Sequence, residues 1–134
     1  TTKARTATDV VGAYFDALQQ GHLDSLGALF DDDVRWHQPG QGALSGVYTG
    51  KAAVFELFGK FMQLSGGTFA IDQVETIMAN GDFVAATLHF HARRGAEQIA
   101  MNGVDVMRVR DGQIVEVWLF SADQRSEDAF WSRA

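Results

Sequence analysis

Residues 103–123 read GVDVMRVRDGQIVEVWLFSAD. Two apolar runs flank Asp111-Gly112, and a two-residue type I′ turn needs φ > 0 at both central residues, which this dipeptide tolerates. With Arg110 and Gln113 closing the turn, Asp105 is expected directly across from Trp118. Side chains alternate along a strand. One face should then carry Asp105, Met107, Val109, Ile114, Glu116, Trp118 and Phe120, and the other Val104, Val106, Arg108, Val115, Val117 and Leu119. A carboxylate in such apolar surroundings is costly to bury and tends to keep its proton. That conflict makes Asp105 the first functional candidate.

Outward from this hairpin, the upstream chain changes period. Val10, Val11, Tyr14, Phe15 and Leu18 form one stripe at helical spacing, with Thr8 or Asp9 as cap and Gly21 as stop. Leu23, Leu26, Leu29 and Phe30 mark a short second helix. Asp31-Asp32-Asp33 reads as a solvated turn, since the ligand pattern of a calcium loop is missing. Residues 34–37 suit a short strand, and Pro39-Gly40 opens a glycine-rich rim or lid running to Gly50. A third helix over 51–64 presents Val54, Phe55, Leu57, Phe58, Phe61 and Met62. From Thr68 the period is two, with turns at Asn80-Gly81, Gly95-Ala96 and Asp111-Gly112, and a short helix over 126–131 closes the chain. Helices followed by an antiparallel meander predict a single α+β domain spanning residues 1–134.

If Arg94 and Glu97 close the middle hairpin, Ala86 faces Asp105 and Phe90 faces Met101. Val84, Leu88, Phe90, Ile99 and Met101 then share the Asp105 face, which should hold the helices and any pocket. His89 and His91 fall on the opposite face. With Asp72 roughly opposite they could imitate part of a metal site, but further ligands are not visible, and no metal is expected there.

The composition narrows the function. The chain has 134 residues, 46% of them apolar and 21% charged, and a net charge of −6, which disfavours nucleic-acid or anionic-membrane partners. Cysteine is absent, so disulfides and thiolate chemistry are excluded. No apolar run approaches a membrane span, and the polar start TTKARTATD lacks a signal-peptide core. A cytoplasmic protein is expected.

Three strings, DDDVRWHQPGQGALSGVYTGKAAVFELF (31–58), GGTF (66–69) and VDVMRVRDGQIVEVWLFSADQRSEDAFW (104–131), resemble the SnoaL-like branch of the NTF2-like superfamily. Ketosteroid isomerase, scytalone dehydratase and limonene epoxide hydrolase belong to the same superfamily. The resemblance implies a cone: N-terminal helices packed in the concave face of a curved antiparallel sheet, with a short C-terminal helix. It also implies a deep apolar pocket and a homodimer through the convex face, for which Val104, Val106, Val115, Val117 and Leu119 would supply the apolar surface. By likeness to ketosteroid isomerase, Asp105 matches a protonated aspartate and Tyr14 a hydrogen-bonding tyrosine. The base position departs from that pattern. Gln38 precedes Pro39, and glutamine cannot abstract a proton, so His37 is the candidate there. By likeness to the SnoaL-type polyketide cyclases, Asp123 is a further acid–base candidate, although it equally suits a helix N-cap.

The site implied by the resemblance therefore has Asp105, His37 and Asp123 as catalytic candidates. Tyr14, Trp36, Trp118, Phe58 and Met101 are expected against the substrate, though each also suits plain core packing. The implied activity is cofactor-independent acid–base catalysis on an apolar carbonyl compound, by cyclisation, isomerisation or dehydration. Epoxide opening lacks its full residue set. The rival expectation is a non-catalytic carrier using the same pocket.

Overall fold

The computed structural model describes residues 6–132, so the first five residues of the polar start lie outside the description. The described chain forms α1 (Ala7–Gln20), α2 (Leu23–Leu29), β1 (Phe30–Gln38), β2 (Gly46–Thr49), α3 (Lys51–Leu64), β3 (Ala70–Asn80), β4 (Phe83–Arg94), β5 (Glu97–Arg110), β6 (Gln113–Ser121) and α4 (Gln124–Ser132). The strands form one curved, unclosed sheet in the order β2-β1-β6-β5-β4-β3. Its concave side holds the helices, as the resemblance implied.

Local chemistry explains most of the boundaries. Thr6, rather than Thr8 or Asp9, caps α1. Its hydroxyl accepts from the Asp9 N–H at 3.0 Å, while the Asp9 carboxylate accepts from the Thr6 N–H at 3.2 Å. Gly21 ends α1 in the left-handed region at φ 70°. Along α1, Val10, Val11, Tyr14 and Phe15 are buried. Each such burial contributes about 1.5–3 kcal/mol, which propensity alone could not supply over four turns.

Two features differ from the sequence expectation. The aspartate run is strand, not turn: β1 begins at Phe30 and carries Asp31, Asp32 and Asp33 through a register irregularity before Arg35. The charges stay solvated at the sheet edge, where Asp32 pairs with Lys51 at 3.3 Å. Second, β1 runs parallel to β6, and residues 46–49 of the presumed lid pair antiparallel with β1. The sheet is therefore mixed rather than purely antiparallel.

The hairpins decide which side chains face the helices. In the middle one, Ala86 pairs with Asp105 and Phe90 with Met101, as expected. The last one turns at Asp111 (φ 53°) and Gly112 (φ 77°) and is closed by Arg110 and Gln113, also as expected. Beyond it, Val109 pairs with Ile114 but Arg108 with Glu116, leaving Val115 as an extra residue on β6. A bulge of this kind reverses the parity of everything after it. Asp105 therefore faces Leu119, not Trp118. Val117 and Leu119 turn inward, while Glu116, Trp118 and Phe120 belong to the outer face, against the expected assignment.

The candidate site: an apolar cavity with two carboxyls

Between the concave sheet face and the helices lies a cavity of about 210 Å³. Its wall is mostly aliphatic and aromatic, and α1, α3 and α4 each contribute to it. Trp36 and Phe58 meet edge-to-face there at 5.0 Å. At the rim, Leu23 and Met62 line the cavity and are also exposed, so the apolar lining continues to the surface.

Polar groups in the lining are few. Asp105 is 7% exposed and reaches the cavity from β5, making no hydrogen bond to any described residue. Burial first, and the charge of Glu127 second, push its carboxyl up to about 7. Tyr14 is buried in α1, edge-on to Phe15 at 5.0 Å and Phe30 at 5.7 Å. Desolvation and then the Asp105 charge raise its phenol well above the ordinary tyrosine range, so it remains a neutral donor. Gln38, also buried, accepts from the Trp36 indole N–H at 3.0 Å through Oε1. That bond orients the amide and leaves its NH₂ end for the cavity. Among the described lining residues there is no Lys, Arg or His.

Glu127 is the site residue that the sequence reading missed. It lies 6% exposed on α4, at the same cavity. Its Oε1 accepts from Ser121 Oγ at 2.7 Å and Gln124 Nε2 at 3.1 Å, and its Oε2 from Trp131 Nε1 at 3.3 Å. Three donors and no acceptor suit a carboxylate. A signal was present: Glu127, Phe130 and Trp131 stand at i, i+3 and i+4, which puts the acid on the apolar side of its helix.

The expected residues divide. Asp105, Tyr14, Trp36 and Phe58 line the cavity. Met101 is buried beyond it, beside Phe90, and is not a lining residue. Trp118 is on the outer face because of the Val115 bulge, stacked on His37 with ring centroids 5.5 Å apart. His37 is likewise outside. Trp36 and Gln38 take the inward positions of β1, so His37 points outward and meets Glu116 Oε2 at 2.6 Å. Asp123 is fully exposed and does not reach the cavity; it caps α4, accepting from Ser126 N–H at 3.0 Å and Ser126 Oγ at 2.7 Å. Those two bonds hold its carboxyl below the usual range.

On the outer face Asp72 is itself a bulge residue between Ile71 and Gln73. From there its two oxygens meet His89 Nδ1 at 2.7 Å and His91 Nδ1 at 2.6 Å. Desolvation opposes its charge, but these hydrogen bonds win and hold the carboxyl low. Among the described residues, no cluster of His, Asp and Glu is arranged to hold a metal ion, and no helix is long and apolar enough to cross a membrane.

Among solved structures, a protein of unknown function with a cystatin-like fold from Xanthomonas campestris is similar at 46% identity and a TM-score of 0.92, covering 96% of this chain and 100% of that one. Bal32a, from a soil-derived mobile gene cassette, is 25% identical with a TM-score of 0.88, covering 93% of this chain and 95% of that one. IdmH, a proposed polyketide cyclase from Streptomyces antibioticus, is 23% identical with a TM-score of 0.72, covering 88% of this chain and 93% of that one, and so shares the fold. No curated protein matches significantly. The family model described as SnoaL-like domain matches residues 11–117, the span that builds most of the cavity, and the chain belongs to that SnoaL-like family.

Proposed function

We propose that the cavity takes a neutral, mostly apolar small molecule bearing a carbonyl group, and that the protein performs cofactor-independent acid–base chemistry on it. One observation carries this reading: Asp105 is buried in an apolar cavity with no hydrogen-bond partner among the described residues, an environment that pushes its carboxyl up to about 7. A neutral carboxylic acid is a strong donor to a carbonyl oxygen, and stronger still to the enolate that forms when a neighbouring carbon loses a proton. Tyr14 and Gln38 add further donors to the cavity wall. An anionic ligand is disfavoured, because two carboxyls and no lining cation would repel it. The exposed rim of Leu23 and Met62 suits a ligand whose apolar end protrudes, since about 210 Å³ is below the ~300 Å³ of a pocket enclosing a drug-sized molecule.

A second reading, a non-catalytic binding or carrier protein, is favoured by the outward positions of His37 and Asp123. Both readings require binding through Asp105. β-Tetralone, a bicyclic ketone, is a suitable probe, read by quenching of Trp36 fluorescence. Its affinity is expected to fall as pH rises through about 7, and by about tenfold or more in Asp105→Leu. Undiminished binding in that variant contradicts the proposal.

We also propose a homodimer through the outer sheet face. The apolar surface there is Phe83, Val104, Val106, Trp118 and Phe120, not the valine and leucine set expected before the bulge was known. Light scattering that gives a monomer mass at micromolar concentration contradicts this.

A further inference from the structure

We propose that Glu127 is the second catalytic carboxylate of the cavity: it accepts the proton that an enolisable ligand gives up, while Asp105 holds the carbonyl oxygen. This rests on the acid–base reading above and supplies its missing base. The geometry starts from the strand pairing. Gly103 and Asp105 are neighbours on the concave face of β5, and Ser121 pairs with Gly103 across the ladder. Ser121 Oγ donates to Glu127, which places the Glu127 carboxyl over Gly103, one side-chain position from Asp105, roughly 7 Å along the strand. Gly103 leaves the space between them open. A Cβ built there would lie 2.9 Å from the Phe120 carbonyl oxygen and 3.6 Å from the Phe90 ring. Gly103, Asp105 and Glu127 line the same cavity.

The two carboxyls differ in their hydrogen bonding. Asp105 meets no donor among the described residues, and its burial favours the protonated form. Glu127 accepts from three donors, which fix its carboxyl in one orientation at the cavity. Its Oε1 is occupied twice, whereas Oε2 receives a single longer bond from Trp131, leaving a lone pair free. Tyr14 is the remaining titratable group on the cavity wall, and burial keeps its proton in place.

In the step itself, a C–H bond next to the ligand carbonyl breaks and its proton moves to Glu127 Oε2. The electron pair becomes the enolate, whose oxygen accepts a hydrogen bond from Asp105. Return of a proton from Glu127 to the same or a conjugated carbon completes exchange or isomerisation, and every proton and electron is accounted for.

The test follows α-proton exchange of β-tetralone in heavy water by NMR. The wild-type protein is expected to accelerate exchange. Glu127→Gln should lose at least ~100-fold of that acceleration while binding β-tetralone within about threefold. Glu127→Asp keeps the charge but draws the carboxylate back by one methylene, so it should remain folded and exchange slowly. A second readout needs no ligand: the NMR titration midpoint of the Asp105 carboxyl should fall in Glu127→Gln and stay raised in Glu127→Asp. Exchange at the wild-type rate in Glu127→Gln overturns the inference, and if Asp105→Leu still weakens binding by about tenfold or more, the acid–base reading survives without it. Binding without exchange by the wild-type protein overturns both and leaves the carrier reading. An unmoved Asp105 midpoint in Glu127→Gln overturns the pairing, whether or not β-tetralone binds.

Discussion

Asp105→Asn is expected to be more stable than the wild-type protein at pH 8, by ~2–4 kcal/mol, and nearly equal to it at pH 4. The direction follows from the raised folded value. Asp105 titrates near 7 in the fold and near the ordinary 3.8 in the unfolded chain. Below about pH 4 both states are protonated and the group favours neither. As pH rises toward 7 the unfolded chain gives up this proton first, so stability is lost through that window and the loss levels off above it. The gap between 3.8 and about 7 corresponds to on the order of 4 kcal/mol. Asparagine keeps the shape and a donor but has no charge to desolvate. Asp72 and Asp123, whose carboxyls are held low, act in the opposite sense and at lower pH. They are common to both proteins and cancel in the difference. Urea titrations from pH 4 to pH 8 measure it, and parallel curves for the two proteins would contradict a neutral buried Asp105.

Phe30→Ala should be the most damaging truncation near the site, with a loss of ~3–5 kcal/mol. Phe30 is fully buried at the junction of α2 and β1. It meets Tyr14 edge-on at 5.7 Å and Phe55 at 6.1 Å, and lies 6.3 Å from Phe58. Alanine leaves a cavity behind two lining residues, Tyr14 and Phe58, so ligand affinity should fall along with stability. Against a typical domain stability of ~5–15 kcal/mol the loss is severe, and the thermal midpoint should drop by ~10–20 °C. Met78→Ala, at an exposed position on β3, should cost ~0.5 kcal/mol or less and serves as the comparison. Equal effects of the two substitutions would mean that Phe30 does not pack as described.

Where turn chemistry and periodicity decide structure, the sequence is readable. Arg94 and Glu97 close the middle hairpin and set Asp105 opposite Ala86, because Gly95 admits the turn and the apolar alternation admits one register. Asp111-Gly112 is equally legible, yet the strands beyond it shift by one residue at Val115. A bulge at Val115, between Ile114 and Glu116, leaves no mark in the sequence, and it moved Trp118 from the pocket to the outer face. His37 was misplaced for a related reason. The alternation of β1 could be assigned only once Trp36 and Gln38 were known to face the helices, and that follows from the long-range parallel pairing with β6. Glu127 could have been found from helical spacing with Phe130 and Trp131, but the short helix expected over 126–131 was given no part in the site.

The most direct measurement is an NMR titration of the carboxyl carbons, with the Asp105 resonance assigned by its absence in Asp105→Asn. The proton that the stability curves infer is then observed at its own atom. A midpoint near 7 is expected, with the resonance still that of a protonated acid at pH 6. A midpoint near 4 would show an ionised carboxylate in the cavity at neutral pH, and would contradict its role as hydrogen-bond donor to a carbonyl ligand.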